Sequence, residues 1–180
     1  ITVRAWPDPV CRTPPLAPGY TIDQYAGTWY EIGKIQTAGG AIFEKSCVCT
    51  SIHVAPIGDR KVIVTNTCNR ETPQGKLLIF NETLTTDDVI PTGRYNETFR
   101  SLAYNIIALK SDEYSVEYDC MHTFGITNYC VHILSRKPTL SDDTVKMLLN
   151  LAVEYDLNTA KLEYEQTLQQ GCTYGANTLI

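Results

Sequence analysis

Cys130 and His132 stand two apart in the run Tyr129-Cys130-Val131-His132-Ile133-Leu134. On a β-strand, alternation puts both side chains on one face together with Leu134. A thiol beside an imidazole is the beginning of a nucleophilic pair, because the ring can draw the thiol toward thiolate. No third orienting group or oxyanion donor accompanies this one, and the expectation is no enzyme. His132 has other fates among its apolar neighbours: donating a hydrogen bond to a ligand carbonyl or carboxylate, bonding to backbone, or pointing outward. His53, His122 and His132 are unclustered. Cys47-Val48-Cys49 is the only close cysteine pair, and without a second cluster or a nearby His it is poor zinc spacing. No metal is expected.

A second constellation spans the chain. Gly27-Thr28-Trp29 opens a β-like run near one end, and Arg136 leaves another near the other end. Gly27, lacking a Cβ, lets backbone pass close to a large indole, and the guanidinium of Arg136 can lie on that indole's face, a contact worth roughly 0.5–2 kcal/mol. The plain alternative is a core Trp beside a turn Gly.

The remaining composition says where such residues would operate. The chain has 180 residues, 43% hydrophobic and 19% charged, with a net charge of −5. This is the composition of one globular domain with one sizeable core. Scattered lysines and arginines give no footprint for nucleic acid, and no apolar run approaches the ~20 residues of a membrane helix. Seven cysteines spread over the whole length predict long-range disulfides and an oxidising compartment. The sequons at Asn81 and Asn96 fit that compartment, as does an N-terminus without an initiator Met, read as a processed form. The expectation is a secreted glycoprotein.

The elements that must position these residues follow from periodicity. Residues 1–20 hold five prolines and Cys11 and predict an extended arm. Ile22 to Tyr25 predicts a helical turn, then a first strand. The loop Gly39-Gly40-Ala41-Ile42-Phe43 carries two large apolar side chains, which either cap an opening or pack under the loop. Cys47 to Ala55 and Lys61 to Cys68 form a hairpin; with Ala55 opposite Val62, Cys49 faces Cys68, predicting a disulfide between them. Strands continue from Gly75 to Arg136. Pro138 and Ser141 then introduce a helix over 139–156, with Val145, Leu148, Leu149, Ala152 and Val153 as an apolar stripe. A last β-like segment runs from Lys161 to Thr167, and 168–180 is a tail. Eight short strands without intervening helices predict an antiparallel barrel or sandwich in a single domain, residues 1–180.

This order of elements, with Gly27-Thr28-Trp29-Tyr30 and Ile133-Leu134-Ser135-Arg136 followed by Pro138-Thr139-Leu140, resembles the lipocalin family, in particular its apolipoprotein D, insect bilin-binding protein and crustacyanin-like branch. The family's middle motif departs: Leu109-Lys110-Ser111-Asp112-Glu113-Tyr114 matches only at its last Tyr. The resemblance implies an all-β fold with one α-helix, an eight-stranded antiparallel up-and-down barrel with the C-terminal helix outside. It makes Gly27, Trp29 and Arg136 the plug of a closed end, and it implies disulfides Cys11–Cys120 and Cys47–Cys172, with Cys130 left as a thiol. It also implies a small hydrophobic ligand in the barrel, a pigment such as biliverdin or a carotenoid like astaxanthin, with no cofactor required. Burying about 300–400 Å² of such a ligand supplies around 8–10 kcal/mol before entropic costs.

In the family pattern His132 takes a pocket-facing position, so the predicted ligand site is Ile42, Phe43, Tyr104, Ile106, Tyr118, Tyr129, Cys130 and His132, aromatics with a polar tip suiting long conjugated ligands. The competing classes are an interaction lipocalin that modulates an immune or protease partner, a thiol-dependent isomerase using Cys130, and a haem carrier. Homo- or hetero-oligomerisation stays open.

Overall fold

Each run of alternating β-formers is cut by a turn, so the strands are of similar length and follow one another around a ring. The computed structural model describes residues 10–98 and 102–174; the first part of the predicted arm, 1–9, and the end of the tail, 175–180, lie outside the described residues. A one-turn helix α1 (Ile22–Tyr25) precedes β1 (Gly27–Gln36). Then come β2 (Cys47–Pro56), β3 (Lys61–Arg70), β4 (Leu77–Thr85), β5 (Arg94–Glu97), β6 (Leu102–Lys110), β7 (Tyr114–Thr123) and β8 (Ile126–Ser135). All pair antiparallel with their neighbours, and β1 pairs with both β8 and β2, closing an eight-stranded barrel. Helix α2 (Asp142–Glu154) lies outside, and the two-residue β9 (Glu165–Gln166) adds to β1. The final strand is thus much shorter than the expected 161–167 run.

Period-two alternation makes two cores from one wall. Inward side chains such as Trp29, Ile52, Val54, Val64, Leu84 and Leu134 fill the lower barrel. Outward ones such as Ile32, Val116, Val131 and Ile133 pack under α2 against Leu148 and Ala152. Ser141 caps that helix by accepting from the Thr144 amide, with Asp142 and Asp143 in its first turn. Val153, expected in the apolar stripe, is 76% exposed. β-Bulges in β1 (Glu31/Gly33), β2 (Val48/Ser51) and β6 (Ile106/Ala108) shift the alternation along the way.

The bulge in β2 corrects two expected disulfides. Ala55 faces Ile63, not Val62, and the ladder slips at Cys49, which adopts a left-handed backbone (φ 57°). Its amide donates to Leu168 O in the tail at 2.8 Å. Cys49 therefore turns toward the tail and joins Cys172, while Cys47 joins Cys68. The partners expected for Cys47 and Cys49 are exchanged. Cys11 is bonded to Cys120 across 109 residues. Such long loops restrict the unfolded chain most, by up to ~5 kcal/mol in chain-entropy models. Cys130 is a buried free thiol.

At the closed end the Arg136 guanidinium lies 3.5 Å from the centre of the Trp29 ring. Its nitrogens donate to four backbone carbonyls, those of Gln24, Ala26, Thr28 and Ser111, at 2.8–3.0 Å. Trp29 is fully buried, and its indole N–H donates to Tyr25 O at 2.8 Å. Gly27 has φ +95°, and a Cβ there would stand 3.2 Å from Arg136 Nη1. The pinned guanidinium leaves no room to yield. Gly27→Ala is therefore expected to cost about 1–3 kcal/mol, read as a lowered urea midpoint at unchanged m-value; an unchanged midpoint would contradict the plug.

Candidate functional site

The hairpin directions put residues 37–46 and the β7–β8 turn at the other end, which is open. Behind this mouth the barrel encloses a cavity of about 230 Å³. Phe43, Phe80, Leu102 and Met121 line its upper wall, with Ile52, Tyr104 and Leu134 deeper. Phe43 and Phe80 pack with ring centres 6.0 Å apart. Ile42 and Phe43 border the cavity, each more than half exposed.

Five carboxyls also border this cavity: Glu31, Glu44, Glu82, Glu117 and Asp119. They get there by alternation. Glu31 is two residues from the inward Trp29, and Glu117 and Asp119 alternate with the outward Val116, Tyr118 and Cys120. Glu44 ends a 3₁₀ turn (Ile42–Glu44) that tucks under the mouth. Burying charge is costly unless it is paired, and among the described residues Lys34 and His132 supply pairing for Glu31, Glu44 and Asp119. Lys34 Nζ lies 2.9 Å from Glu44 Oε2 and 3.3 Å from Glu31 Oε1. His132 sits between Glu31 (Nδ1 to Oε2, 2.8 Å) and Asp119 (Nε2 to Oδ2, 3.4 Å). Thr167 also donates to Glu31 at 2.5 Å. Glu117 accepts hydrogen bonds from the phenols of Tyr25, at 2.6 Å, and Tyr104.

These partners divide the carboxyls. Burial raises the pKa of Glu31, but the Lys34 charge and His132 outweigh it and hold the acid far below its ordinary range. Glu44 is pushed up to about 7 by burial and by the Glu31 charge, and Glu117 to about 7 by burial. Burial opposes the charged form of His132, yet Cys130, Glu44 and Asp119 around it raise its pKa well above the ordinary imidazole value.

The sign of the pH dependence follows. Between about 4.5 and 7 the folded protein keeps protons on Glu44 and Glu117 that the unfolded chain releases, so stability falls as pH rises through that window. The His132 contribution is complete below the unfolded imidazole value and is lost as pH rises through its raised folded value. Unfolding temperature is expected to decline from pH 5.5 to 8, and Glu117→Gln is expected to reduce the loss of stability over that range by on the order of 2 kcal/mol at most. A curve that climbs over this range would contradict the assignment.

Of the predicted site residues, Ile42, Phe43, Tyr104 and His132 border the cavity. Ile106 is inward but below it, in the barrel floor with Tyr20 and Tyr95. Tyr118 and Tyr129 face outward under α2, where the Tyr118 hydroxyl accepts from the Arg12 amide (3.2 Å) and the Tyr129 hydroxyl meets Asn158 (3.0 Å). The reason is parity: strands that turn His132 and Glu117 inward must turn Tyr129 and Tyr118 outward. Cys130 is wholly buried near His132 without bordering the cavity. The five carboxyls and Lys34 were missed. Asn81 and Asn96 stand exposed on neighbouring strands β4 and β5.

The geometry has relatives. A family model described as a lipocalin-like domain matches residues 21–167. Apolipoprotein D of Rattus norvegicus is 28% identical over 159 residues, covering 84% of this chain and 79% of that protein; the Mus musculus protein is 26% identical over the same length. Among solved structures, apocrustacyanin C1 superposes with a TM-score of 0.65 at 20% identity, covering 84% of this chain and 81% of that one. The siderocalin Ex-FABP, described as functioning through dual ligand specificities, gives 0.63 at 16% identity, covering 85% and 97%. No described helix is long and apolar enough to cross a membrane.

Proposed function

The chain belongs to the lipocalin family, which binds small hydrophobic molecules, and from that premise we propose that it is a secreted carrier holding one such molecule behind Phe43. The observation that carries this reading is the cavity itself, at the open end of a barrel plugged at the other. Its three disulfides fit an extracellular site of action. Its apolar upper wall supplies the transfer energy, and Tyr104 and His132 supply polar contacts deeper in.

The volume of about 230 Å³ lies just under the ~300–1,000 Å³ of pockets that enclose drug-sized ligands. It favours a compact guest. A pigment such as biliverdin or a carotenoid is the larger member of the class, and it requires the loop carrying Ile42 and Phe43 to swing outward. The carrier reading involves no turnover: burial pushes the Cys130 thiol up to about 12, leaving almost no thiolate at neutral pH.

Mass spectrometry of the native protein extracted into organic solvent tests the reading. The expected result is one small apolar species per chain, with visible absorbance if it is a pigment. If nothing is extracted, and the emptied protein fails to enhance the neutral fluorophore N-phenyl-1-naphthylamine, the carrier reading falls. The interaction-lipocalin reading then takes its place.

A further inference from the structure

We propose that the cavity selects a compact organic cation, an amine on a small apolar body, with Glu117 as the counter-charge and Thr50 as a second polar contact. The proposal rests on the carrier reading and names the ligand class for that site.

Among the described residues, Lys34 and His132 are the bases that pair with three of the carboxyls at the cavity, Glu31, Glu44 and Asp119. Lys34 is engaged with Glu31 and Glu44, and His132 with Glu31 and Asp119. Glu117 pairs with no basic side chain among the described residues; its partners are the phenols of Tyr25 and Tyr104. An ammonium beside Glu117 gives that carboxyl the basic partner it lacks among the described residues, whereas an anionic guest there would meet repulsion from it.

Thr50 is an independent sign of a missing polar partner. It is 2% exposed and borders the cavity, and its hydroxyl has no hydrogen-bond partner. A buried hydroxyl left unpaired is costly, and a ligand N–H inside the cavity removes that cost. Phe43, Phe80 and the Tyr104 ring then surround the apolar part, and aromatic faces also attract a cation.

A metal ion fits less well. Glu31, Glu44 and His132 bring donor atoms within 4.8 Å of one another, but the Lys34 ammonium already sits at both carboxylates. A bound metal would have to expel it.

Binding of an amine should draw Glu117 into its ionised form and release a proton. The groups facing it are Tyr25 on α1, Tyr104 on β6, Asp119 on its own strand and His132 on β8. His132 already favours the ionised form of Glu117, and an ammonium within hydrogen-bond reach adds to that effect, so the preference for amine should grow from pH 6 to 8 as Glu117 ionises.

Displacement of N-phenyl-1-naphthylamine by three near-isosteres tests the proposal: 2-phenylethylamine, 2-phenylethanol and 3-phenylpropanoate at pH 7.5. The amine is expected to bind about tenfold or more tighter than the alcohol, the worth of one charge-assisted hydrogen bond, with the carboxylate weakest. Glu117→Gln keeps the shape and is expected to abolish the amine's advantage over the alcohol when both are measured on that variant, shown folded by its thermal transition. Alcohol or carboxylate binding as tightly as amine, or an amine preference unchanged in Glu117→Gln, would overturn the proposal and leave the carrier standing. Failure of the fluorophore itself to bind overturns the carrier reading and this proposal with it.

Discussion

Lys34→Met is expected to lower folding stability by about 3–5 kcal/mol, the range for removing one partner from a buried ion pair. The ammonium is almost wholly buried and serves two carboxylates, Glu31 and Glu44. Met keeps the length and apolar volume of the side chain, so the loss is one of charge. Without Lys34, Glu31 keeps His132 and Thr167, but Glu44 keeps only a distant contact to His132 at 3.9 Å. Glu44 then protonates fully, and the 3₁₀ turn that carries it loses its anchor to β1. Urea unfolding with disulfides intact measures the cost. Adding Glu44→Gln to Lys34→Met is expected to recover part of it, because a buried Glu44 no longer has to hold a proton that the unfolded chain releases at neutral pH. A single-variant loss under about 1 kcal/mol, the level of an exposed pair, would contradict the buried network.

The second large effect lies at the opposite end. Trp29→Ala is expected to cost about 3–5 kcal/mol, because it empties the largest fully buried side chain from the inner core and strips Arg136 of its aromatic face. Arg136→Ala removes donors from four carbonyls at once. Arg136→Lys does little better, since one ammonium cannot reproduce the planar fork. A double-mutant cycle between Trp29→Leu and Arg136→Ala should show coupling of about 0.5–2 kcal/mol. Additive losses would mean that the two merely adjoin.

How much of this was legible depends on which physical rule each residue obeys. The plug was readable because Gly27, Trp29 and Arg136 each have a side-chain type, or a lack of one, that a plain strand does not need. The strand count was readable from turns and alternation. The exchange of disulfide partners was not, because a non-glycine residue with positive φ at Cys49 leaves no mark in sequence. The tyrosines illustrate a parity error that the chain itself contained. Cys120 bonds to Cys11 in the arm, which runs outside the barrel, so its face is outward. Tyr118 shares that face, and Glu117 and Asp119 must face in. The rule that charges stay outside hid this deduction. Buried carboxyls become credible only once Lys34 and His132 are seen on the facing strands.

The barrel therefore combines an apolar entrance with an ionic interior. In the proposed carrier, the entrance would supply affinity and the interior selectivity and a dependence on pH.

Filling the cavity tests the central claim most directly. Met121 borders it near the mouth and is only half-buried, so Met121→Trp should place an indole into the space with little strain on the core. The wild-type protein is expected to bind one N-phenyl-1-naphthylamine per chain, and Met121→Trp to bind none while unfolding at the wild-type urea concentration. Undiminished binding in a folded Met121→Trp variant would place the ligand elsewhere and contradict the account.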